Sequence, residues 1–223
     1  MVAVISSSDV LLAQINSKKA RVGVIGLGVV GAAQAVAMTH AGFTVIGADI
    51  DPERVALLTA TGQEIAPPVG GESMRATSDF DELAAADCII IGVPTSHRAD
   101  GTPNRGALTD AARLVAQQLT VGTLVVVEST VPPGTTRDLI LPMLEESGLR
   151  SGEDFFLAFS PERLDLGNQT YPVEAIPRVV GGITPSCTEV ACALYQQLAA
   201  KIHPVSSPEA AEWPRSSKIR FGT

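Results

Sequence analysis

A regular alternation of short apolar runs with amphipathic segments restricts the fold of this chain more than any other feature. It begins at residue 21, where RVGVIG (21–26) is typical of a buried strand and VVGAAQAVAMTHAG (29–42) of a helix rich in small residues. The alternation continues to residue 207. Because strand–helix–strand units join parallel strands through right-handed crossovers, the pattern predicts an α/β fold with a doubly wound, mostly parallel sheet.

The remaining elements follow from the same periodicities and from the Pro and Gly residues at segment ends. Further strands are predicted at 43–50, 88–95, 123–130, 154–164, 176–182 and 202–207. Further helices are predicted at 51–62, 79–87, 107–119, 131–148 (after an initial turn) and 186–200. Two stretches rich in Pro, Gly and polar residues, 63–78 and 96–106, are predicted to be loops.

Composition narrows the range of partners. Hydrophobic residues make up 45% of the chain and aromatic residues only 4%, which suits a core of Ala, Val, Ile and Leu between helices and a parallel sheet. A net charge of −8 without a cluster of Lys and Arg argues against nucleic acid or an anionic membrane surface as partner. No apolar run approaches the ~20 residues of a membrane span, so no membrane association is predicted.

Cysteine usage and the first residues of the chain indicate a cytoplasmic location. Cys88, Cys187 and Cys192 are an odd number without CxxC or His-paired spacing, so neither a disulfide framework nor a metal site is predicted. In the first twenty residues the lysines follow the apolar stretch, whereas in a signal peptide they precede it. Both features predict a protein of the reducing cytoplasm.

The glycine turn GLGVVG (26–31) has the spelling G-x-G-x-x-G, follows a strand and opens a helix. Asp49 ends the next strand, eighteen residues after the last glycine. In a dinucleotide fingerprint the glycines give a tight turn, room for the pyrophosphate and close helix packing, while the acid binds the adenosine ribose. Because this acid repels a 2′-phosphate, NAD is the predicted cofactor. The predicted contacts in this turn are Gly26, Leu27, Gly28, Val29, Val30 and Gly31.

The residues alone leave alternatives for this motif. The turn could serve helix packing only, with Asp49 as a surface acid. Asp51 is a rival to Asp49, although its place before Pro52 favours a helix cap. Arg54 is either a contact on the adenosine side of the cofactor or a solvated side chain.

Three further stretches lie at strand carboxyl ends, where an open α/β sheet presents its ligands: GVPT (92–95), ESTVPPGTT (128–136) and FSPERLDLGN (159–168). With VIGLGVVG and IPRVVGG, and in this order, they resemble the N-terminal, NAD-binding half of the UDP-glucose/GDP-mannose dehydrogenase family. In the residues of SPER, GN and IPRVVGG, the chain is most similar to the UDP-N-acetylglucosamine and UDP-N-acetylmannosamine 6-dehydrogenase branch of this family. The resemblance covers about residues 20–212.

This resemblance implies oxidation of a sugar C6 alcohol to a carboxylate with two NAD and a cysteine that holds the intermediate as a thiohemiacetal and then a thioester. It implies that Thr130 helps to hold the catalytic water and that Glu162 lies beside the reacting C6. It places Pro94, Thr95, Ser129 and Thr130 at the cofactor and Glu162, Arg163 and Leu164 at the substrate. Without the resemblance, Thr130 could equally be a cap and Glu162 an exposed acid.

Two departures from the family pattern limit what the resemblance implies. Leu166 stands near the place where UDP-glucose enzymes often carry a second acid, which argues against UDP-glucose; the UDP-sugar substrate that the branch resemblance implies is a UDP-N-acetylhexosamine. The nucleophilic cysteine of the family belongs to a C-terminal domain whose motifs this chain does not show, so its three cysteines are predicted to be structural. For the intact enzymes, the resemblance implies a homodimer.

The predicted organisation is an N-terminal extension (1–19), an NAD-binding Rossmann-type domain (20–206) and the start of an interdomain helix (207–223). Pro214 interrupts that helix. With one base added before the codon of Trp213, synonymous codons for 213–223 encode Met-Ala-Lys-Ile-Leu-Glu-Asn-Thr-Phe-Arg-Tyr, which resembles the catalytic helix of the family. Residues 213–223 are therefore predicted to be an out-of-frame reading, with a genuine short tail as the alternative.

The sequence thus predicts the NAD-binding domain of a UDP-N-acetylhexosamine 6-dehydrogenase, truncated and inactive alone. One alternative is a stand-alone NAD-binding or regulatory module without catalysis. Another is a different Rossmann-type enzyme, such as a hydroxy-acid dehydrogenase, which would leave the SPER and EST segments unexplained.

Overall fold

A single eight-stranded sheet organises the computed structural model, which describes residues 6–65, 74–96, 101, 104–162 and 177–213. The strands are Arg21–Ile25 (β1), Thr44–Ala48 (β2), Met74–Thr77 (β3), Cys88–Ile91 (β4), Leu124–Val127 (β5), Phe156–Phe159 (β6), Arg178–Gly182 (β7) and Ile202–Pro204 (β8). Their order is β3-β2-β1-β4-β5-β6-β7-β8. Neighbouring strands are parallel except β6 and β7. The predicted doubly wound, mostly parallel sheet is confirmed.

Helices connect most of the strands. They are Ser7–Asn16 (α1), Val29–His40 (α2), Pro52–Ile65 (α3), Gly106–Gln118 (α4), Leu141–Glu145 (α5), Pro185–Tyr195 (α6) and Pro208–Glu212 (α7). A 3₁₀ turn covers Phe80–Ala85, and a π turn at Thr136–Ile140 runs directly into α5. The start of α7 follows the sequence signal: the Ser207 side chain accepts a hydrogen bond from the Ala210 N–H, and Pro208 takes the first helical position.

Successive residues of a strand point to opposite faces of the sheet, and in the central strands both sets are apolar. Helices therefore cover both faces. Helices α1, α2 and α6 pack on one face and α4 and α5 on the other. The first face includes Val22, Val24, Ile90 and Val126, and the second includes Ile25, Ile89, Ile91 and Val127. The strands therefore read as continuous apolar runs, as expected of a parallel sheet buried on both sides.

The structure differs from the sequence prediction at one edge of the sheet. Residues 74–77, expected within a loop, form β3, which pairs in parallel with β2 in the register Val45–Met74. Of its four residues only Thr77 is buried, so this edge strand lacks the apolar run that identifies the central strands. The predicted N-terminal extension also contributes a helix, since Leu11 and Ile15 of α1 are buried in the first layer.

Some predictions concern residues outside the described ranges. Arg163 and Leu164, the predicted substrate contacts after Glu162, lie there, as do residues 214–223 of the predicted out-of-frame tail. Among the helices of the described ranges, none has the length and apolar character that crossing a membrane requires.

Candidate functional site

The carboxyl ends of the parallel strands bring the predicted site residues to one edge of the sheet. The glycine turn follows β1, Asp49 follows β2, and Pro94 and Thr95 follow β4. Ser129 and Thr130 follow β5, and Glu162 follows β6. Because these five strands run in the same direction, segments separated by more than 100 residues meet at this edge.

The glycine turn is fixed by backbone contacts. Gly26 has a φ of +91°, which disfavours any side chain, and its N–H donates to the Ala48 carbonyl at 2.8 Å. A Cβ on Gly31 would lie 1.8 Å from the Gly26 carbonyl oxygen, so α2 approaches β1 closely only because residue 31 is glycine. The first and third glycines thus meet structural demands of the turn.

Gly28 has a different environment. It is the N-cap residue of α2 and has no side-chain capping bond. A Cβ at this position would meet only the Arg54 Nη1 atom, at 3.9 Å, among the atoms of the structure. The space next to Gly28 at the N-terminus of α2 is therefore open, which fits the diphosphate of a dinucleotide.

Asp49 is held against this turn. Its side chain is buried, Oδ2 accepts a hydrogen bond from the Leu27 N–H at 2.6 Å, and Oδ1 accepts one from the Asp51 N–H at 2.9 Å. Arg54 Nη1 lies 3.6 Å from Oδ2. Asp51 has another task, because its side chain accepts from the Glu53 N–H at 3.0 Å and caps α3.

The loops after β4 and β5 are joined by two hydroxyl groups. The Ser129 hydroxyl donates to the Val93 carbonyl at 2.8 Å, and the Thr95 hydroxyl donates to the Thr130 carbonyl at 2.5 Å. Thr130 itself is exposed at the edge. The predicted cofactor contacts on these loops are therefore held in place while the Thr130 side chain remains open to a ligand.

Glu162 is buried, with 4% of its surface exposed, so the alternative interpretation as an exposed acid is wrong. Its Oε2 forms an ion pair with Nη2 of Arg178, the first residue of β7. Because β7 runs antiparallel to β6, its first residue extends beyond the carboxyl end of β6. This reversal of strand direction brings Arg178 to the edge where Glu162 lies.

Arg178 is the centre of a buried set that we call the acid–arginine cluster: Glu128, Glu162, Arg178, Tyr195 and Gln34. Nη1 of Arg178 lies 3.0 Å from Glu128 Oε1, and Nη2 of Arg178 donates to Gln34 Oε1 at 2.8 Å. The Tyr195 hydroxyl donates to Glu128 Oε1 at 2.6 Å, and the guanidinium carbon lies 4.7 Å from the centre of the Tyr195 ring. The cluster therefore joins α2, β5, β7 and α6 and the end of β6.

Burial dominates the electrostatics of this cluster. It raises the pKa of Glu128, Arg178 opposes that rise and Glu162 adds to it, with a resulting pKa of about 7. Burial and the Glu128 carboxylate likewise raise the pKa of Tyr195 well above its ordinary value. Arg178 loses solvation, but its two carboxylate partners outweigh that loss and raise its pKa.

The sequence prediction identified Glu162 but missed Glu128, Arg178 and Tyr195. Two of the missed residues left a signal, because Glu128 and Arg178 are charged residues that directly border apolar runs of buried strands. A charge in that position has to find a buried partner. Which partner it finds depends on the crossover connections, and no local pattern contains that information.

One groove of about 880 Å³ connects the two parts of the site. Gly28 and Arg54 line it on the side of the glycine turn, and Gln34 and Arg178 line it on the side of the acid–arginine cluster. Ala33 and Leu198 contribute to its apolar walls. The backbone turn and the buried cluster are thus neighbours along α2.

A second buried acid anchors the start of α7. Glu212 accepts hydrogen bonds from the Gly134 N–H at 2.5 Å, the Thr136 N–H at 2.8 Å and the Thr136 hydroxyl at 2.7 Å. Burial raises the pKa of Glu212, and these three donors oppose that rise. Nearby, Arg137 pairs with Glu209 at 2.5 Å. The helix that ends at Glu212 is therefore attached to the loop after β5.

The cysteines lie in the core. Cys88, Cys187 and Cys192 are all buried and reduced. Burial raises the pKa of the Cys88 thiol far above its ordinary value and that of Cys192 to about 11. The Cys187 sulfur accepts from the Thr184 hydroxyl and the Leu157 N–H. A nucleophilic cysteine needs access to its substrate, and all three thiols are buried; the raised pKa values of Cys88 and Cys192 also disfavour their thiolate forms.

This fold and this edge define a Rossmann-type, dinucleotide-binding domain of a dehydrogenase. Residues 20–199 match the family model described as "UDP-glucose/GDP-mannose dehydrogenase family, NAD binding domain". The chain belongs to the UDP-glucose/GDP-mannose dehydrogenase family, and NAD is the cofactor of the matched domain.

Relatives of known name match over most of this chain. Protein CapL of Staphylococcus aureus is 36% identical, over 86% of this chain and 46% of CapL. The UDP-N-acetyl-D-glucosamine 6-dehydrogenase of Pseudomonas aeruginosa is 34% identical, over 87% of this chain and 48% of the relative. The solved UDP-D-ManNAc dehydrogenase of Pyrococcus horikoshii superposes with a TM-score of 0.74 at 29% identity, over 86% of this chain and 48% of that chain. The chain spans about half the length of the curated relatives it matches.

Proposed function

We propose that this chain is the NAD-binding half of a nucleotide-sugar 6-dehydrogenase that oxidises a UDP-N-acetylhexosamine to its uronate. The single observation that carries the proposal is the buried Glu162–Arg178 ion pair at the edge that also holds the glycine turn. NAD binding already has its acid in Asp49, and a second acid buried at this edge, at the cost of burying a charge, fits a task in the chemistry. The names of the Pseudomonas and Pyrococcus relatives support an N-acetylhexosamine as the sugar.

The residues present fit NAD. The open space over Gly28 accepts a diphosphate, and Asp49 is the acid positioned for the adenosine ribose, with Arg54 beside it. NAD, when bound, supplies the hydride acceptor for the oxidation. On the chain's side, Thr95 and Ser129 hold the loops after β4 and β5 in register.

We assign the two predicted catalytic residues separate tasks. Thr130 presents an exposed hydroxyl that holds the water consumed in the second oxidation step. Glu162 orients that water and the C6 hydroxyl, and the ion pair with Arg178 keeps its carboxylate in place. Arg163 and Leu164 continue this segment as proposed substrate contacts.

The chain alone is proposed to bind NAD without turning over substrate. The family chemistry needs a thiol that becomes acylated, and all three cysteines here are buried in the core. The thiol therefore has to come from residues outside this chain. A stand-alone NAD-binding module without chemistry is the second candidate, and the same buried cysteines favour it.

Two measurements test whether the chain alone binds NAD without turning over substrate. Calorimetric titration with NAD and NADP measures binding, and NADH absorbance in the presence of UDP-sugars measures turnover. We expect saturable NAD binding, weaker NADP binding and no NADH from UDP-N-acetylglucosamine, UDP-N-acetylmannosamine or UDP-glucose. Gly28→Ala is the matched control, because it fills the space over α2 without a steric clash. Absence of NAD binding, or oxidation of a small hydroxy acid by this chain, would contradict the proposal.

A fusion tests the substrate and separates the two candidates. Residues 1–212 are joined to the part of the Pseudomonas relative that this chain does not match, where the family chemistry implies the thiol to be. We expect two NADH per UDP-N-acetylhexosamine and a much lower rate with UDP-glucose, and Glu162→Gln in the fusion should abolish turnover. A fusion that folds and binds NAD but oxidises no UDP-sugar would favour the stand-alone module.

A further inference from the structure

The acid–arginine cluster holds more negative than positive charge. Within the described part of the chain it contains two carboxylates, Glu128 and Glu162, and one guanidinium, that of Arg178. All three side chains are at least 94% buried. With both acids ionised the net charge is −1, and with one proton bound it is zero, which is the cheaper state in a dry environment.

The geometry shows which acid can hold that proton. Glu128 uses only Oε1 for its bonds to Arg178 and Tyr195, and its buried Oε2 has no hydrogen-bond partner among the described residues. An ionised carboxylate with a bare buried oxygen is poorly stabilised. A proton on Oε2 removes the charge without disturbing either bond to Oε1.

We propose that Glu128 is a proton-holding positioning residue for Glu162 and that it acts through Arg178. When Glu128 is neutral, the Arg178 charge is balanced by Glu162 alone and holds that carboxylate in place. When Glu128 releases its proton to solvent, Arg178 is shared between two carboxylates and the hold on Glu162 weakens. The significance of this device for catalysis rests on the proposed function, because Glu162 is the acid assigned to the reacting carbon.

Each element packed around Glu128 contributes to its titration. Arg178 of β7 and the Tyr195 hydroxyl of α6 favour the ionised form, whereas burial and Glu162 after β6 favour the neutral form. The balance places the pKa of Glu128 at about 7, so both states are populated near neutral pH. Because the pKa of Glu128 is higher in the folded than in the unfolded protein, its protonation stabilises the fold. This contribution is complete at a pH below the ordinary pKa of a glutamate and is lost as the pH rises through 7.

Carbon-13 NMR of the chain, with labelled glutamate carboxyl groups and without cofactor, tests the proposal. We expect the Glu128 resonance to titrate with a midpoint near 7 and the Glu162 resonance to show an inflection at the same pH. In Glu128→Gln the Glu162 inflection should vanish, whereas the control Glu209→Gln, on the partly exposed pair with Arg137, should leave both unchanged. A merely structural Glu128 would not move the Glu162 resonance with pH.

A second variant keeps the test decisive if Glu128→Gln fails to fold. Tyr195→Phe removes a hydrogen bond that favours ionised Glu128, so the wild-type midpoint should move to higher pH. A Glu128 midpoint in the ordinary acidic range, or a Glu162 inflection that survives in Glu128→Gln, would overturn the proposal. Because the titration contains no NAD or sugar, its failure is distinct from a failure of NAD binding or of the fusion enzyme.

Discussion

The glycine turn and the acid–arginine cluster line the same groove, but the turn depends on backbone conformation and the cluster on side-chain contacts. The turn is made of consecutive residues, and two of its positions, Gly26 and Gly31, require glycine for their backbone conformation or close packing. The cluster is made of side chains from five separate segments, joined through one guanidinium. A local motif can therefore encode the first, whereas the second exists only once the whole sheet has assembled.

The largest effect is expected at Arg178. Arg178→Leu removes the guanidinium that pairs with two buried carboxylates and should reduce the free energy of unfolding by about 3–5 kcal/mol. Arg178→Lys keeps the charge but loses the fork that reaches three acceptors, so its loss should be smaller. Urea unfolding at pH 8 measures both. Equal stability of Arg178→Leu and wild type would show that the cluster is not an energetic unit.

The two glycine variants separate folding from binding within the turn. Gly31→Ala forces a Cβ against the Gly26 carbonyl and should cost about 2–3 kcal/mol of stability. Gly28→Ala should leave the melting temperature unchanged and weaken NAD binding about tenfold or more. Thermal unfolding and calorimetry on both proteins give the comparison. If the two variants behaved alike, the distinct roles of these glycines would be wrong.

Glu212 joins a side chain to the backbone, since its carboxylate accepts hydrogen bonds from two backbone N–H groups. Glu212→Gln should cost about 2 kcal/mol, because it weakens three buried hydrogen bonds. Glu209→Gln on the same helix should cost about 0.5 kcal/mol, because its pair with Arg137 is partly exposed. Chemical denaturation of the two variants in parallel checks the ratio. A larger loss for Glu209→Gln would contradict the anchor.

The smallest effect is expected at the acid that follows β2. Asp49→Asn should weaken NAD binding about tenfold and reduce the preference for NAD over NADP, because the charge that repels a 2′-phosphate is removed. Asp51→Asn, at the cap of α3, should leave both affinities nearly unchanged. Competition titrations with the two cofactors measure this. An effect of Asp51→Asn as large as that of Asp49→Asn would restore Asp51 as the ribose ligand.

The sequence predicted features that a local motif encodes and missed those that exist only once the whole sheet has assembled. The central strands, the glycine turn and the cap of α7 were predicted because a periodicity or a short motif determines each of them. The edge strand β3 was missed because Arg75 and Thr77 interrupt its apolar residues, so its four residues give no apolar run. Glu128 and Tyr195 were missed because they lie 67 positions apart and meet only through the order of the strands.

The anchor at Glu212 also has a mechanical consequence. Its carboxylate ties the last turn of α7 to Gly134 in the loop after β5 and to Thr136 at the start of the π turn, four and six residues beyond Thr130. A pull on the chain after Glu212 is therefore transmitted to the segment that presents the Thr130 hydroxyl. The end of α7 and this loop are thus joined mechanically, and motion of the chain after residue 212 would be felt at the cofactor edge as tension on the loop.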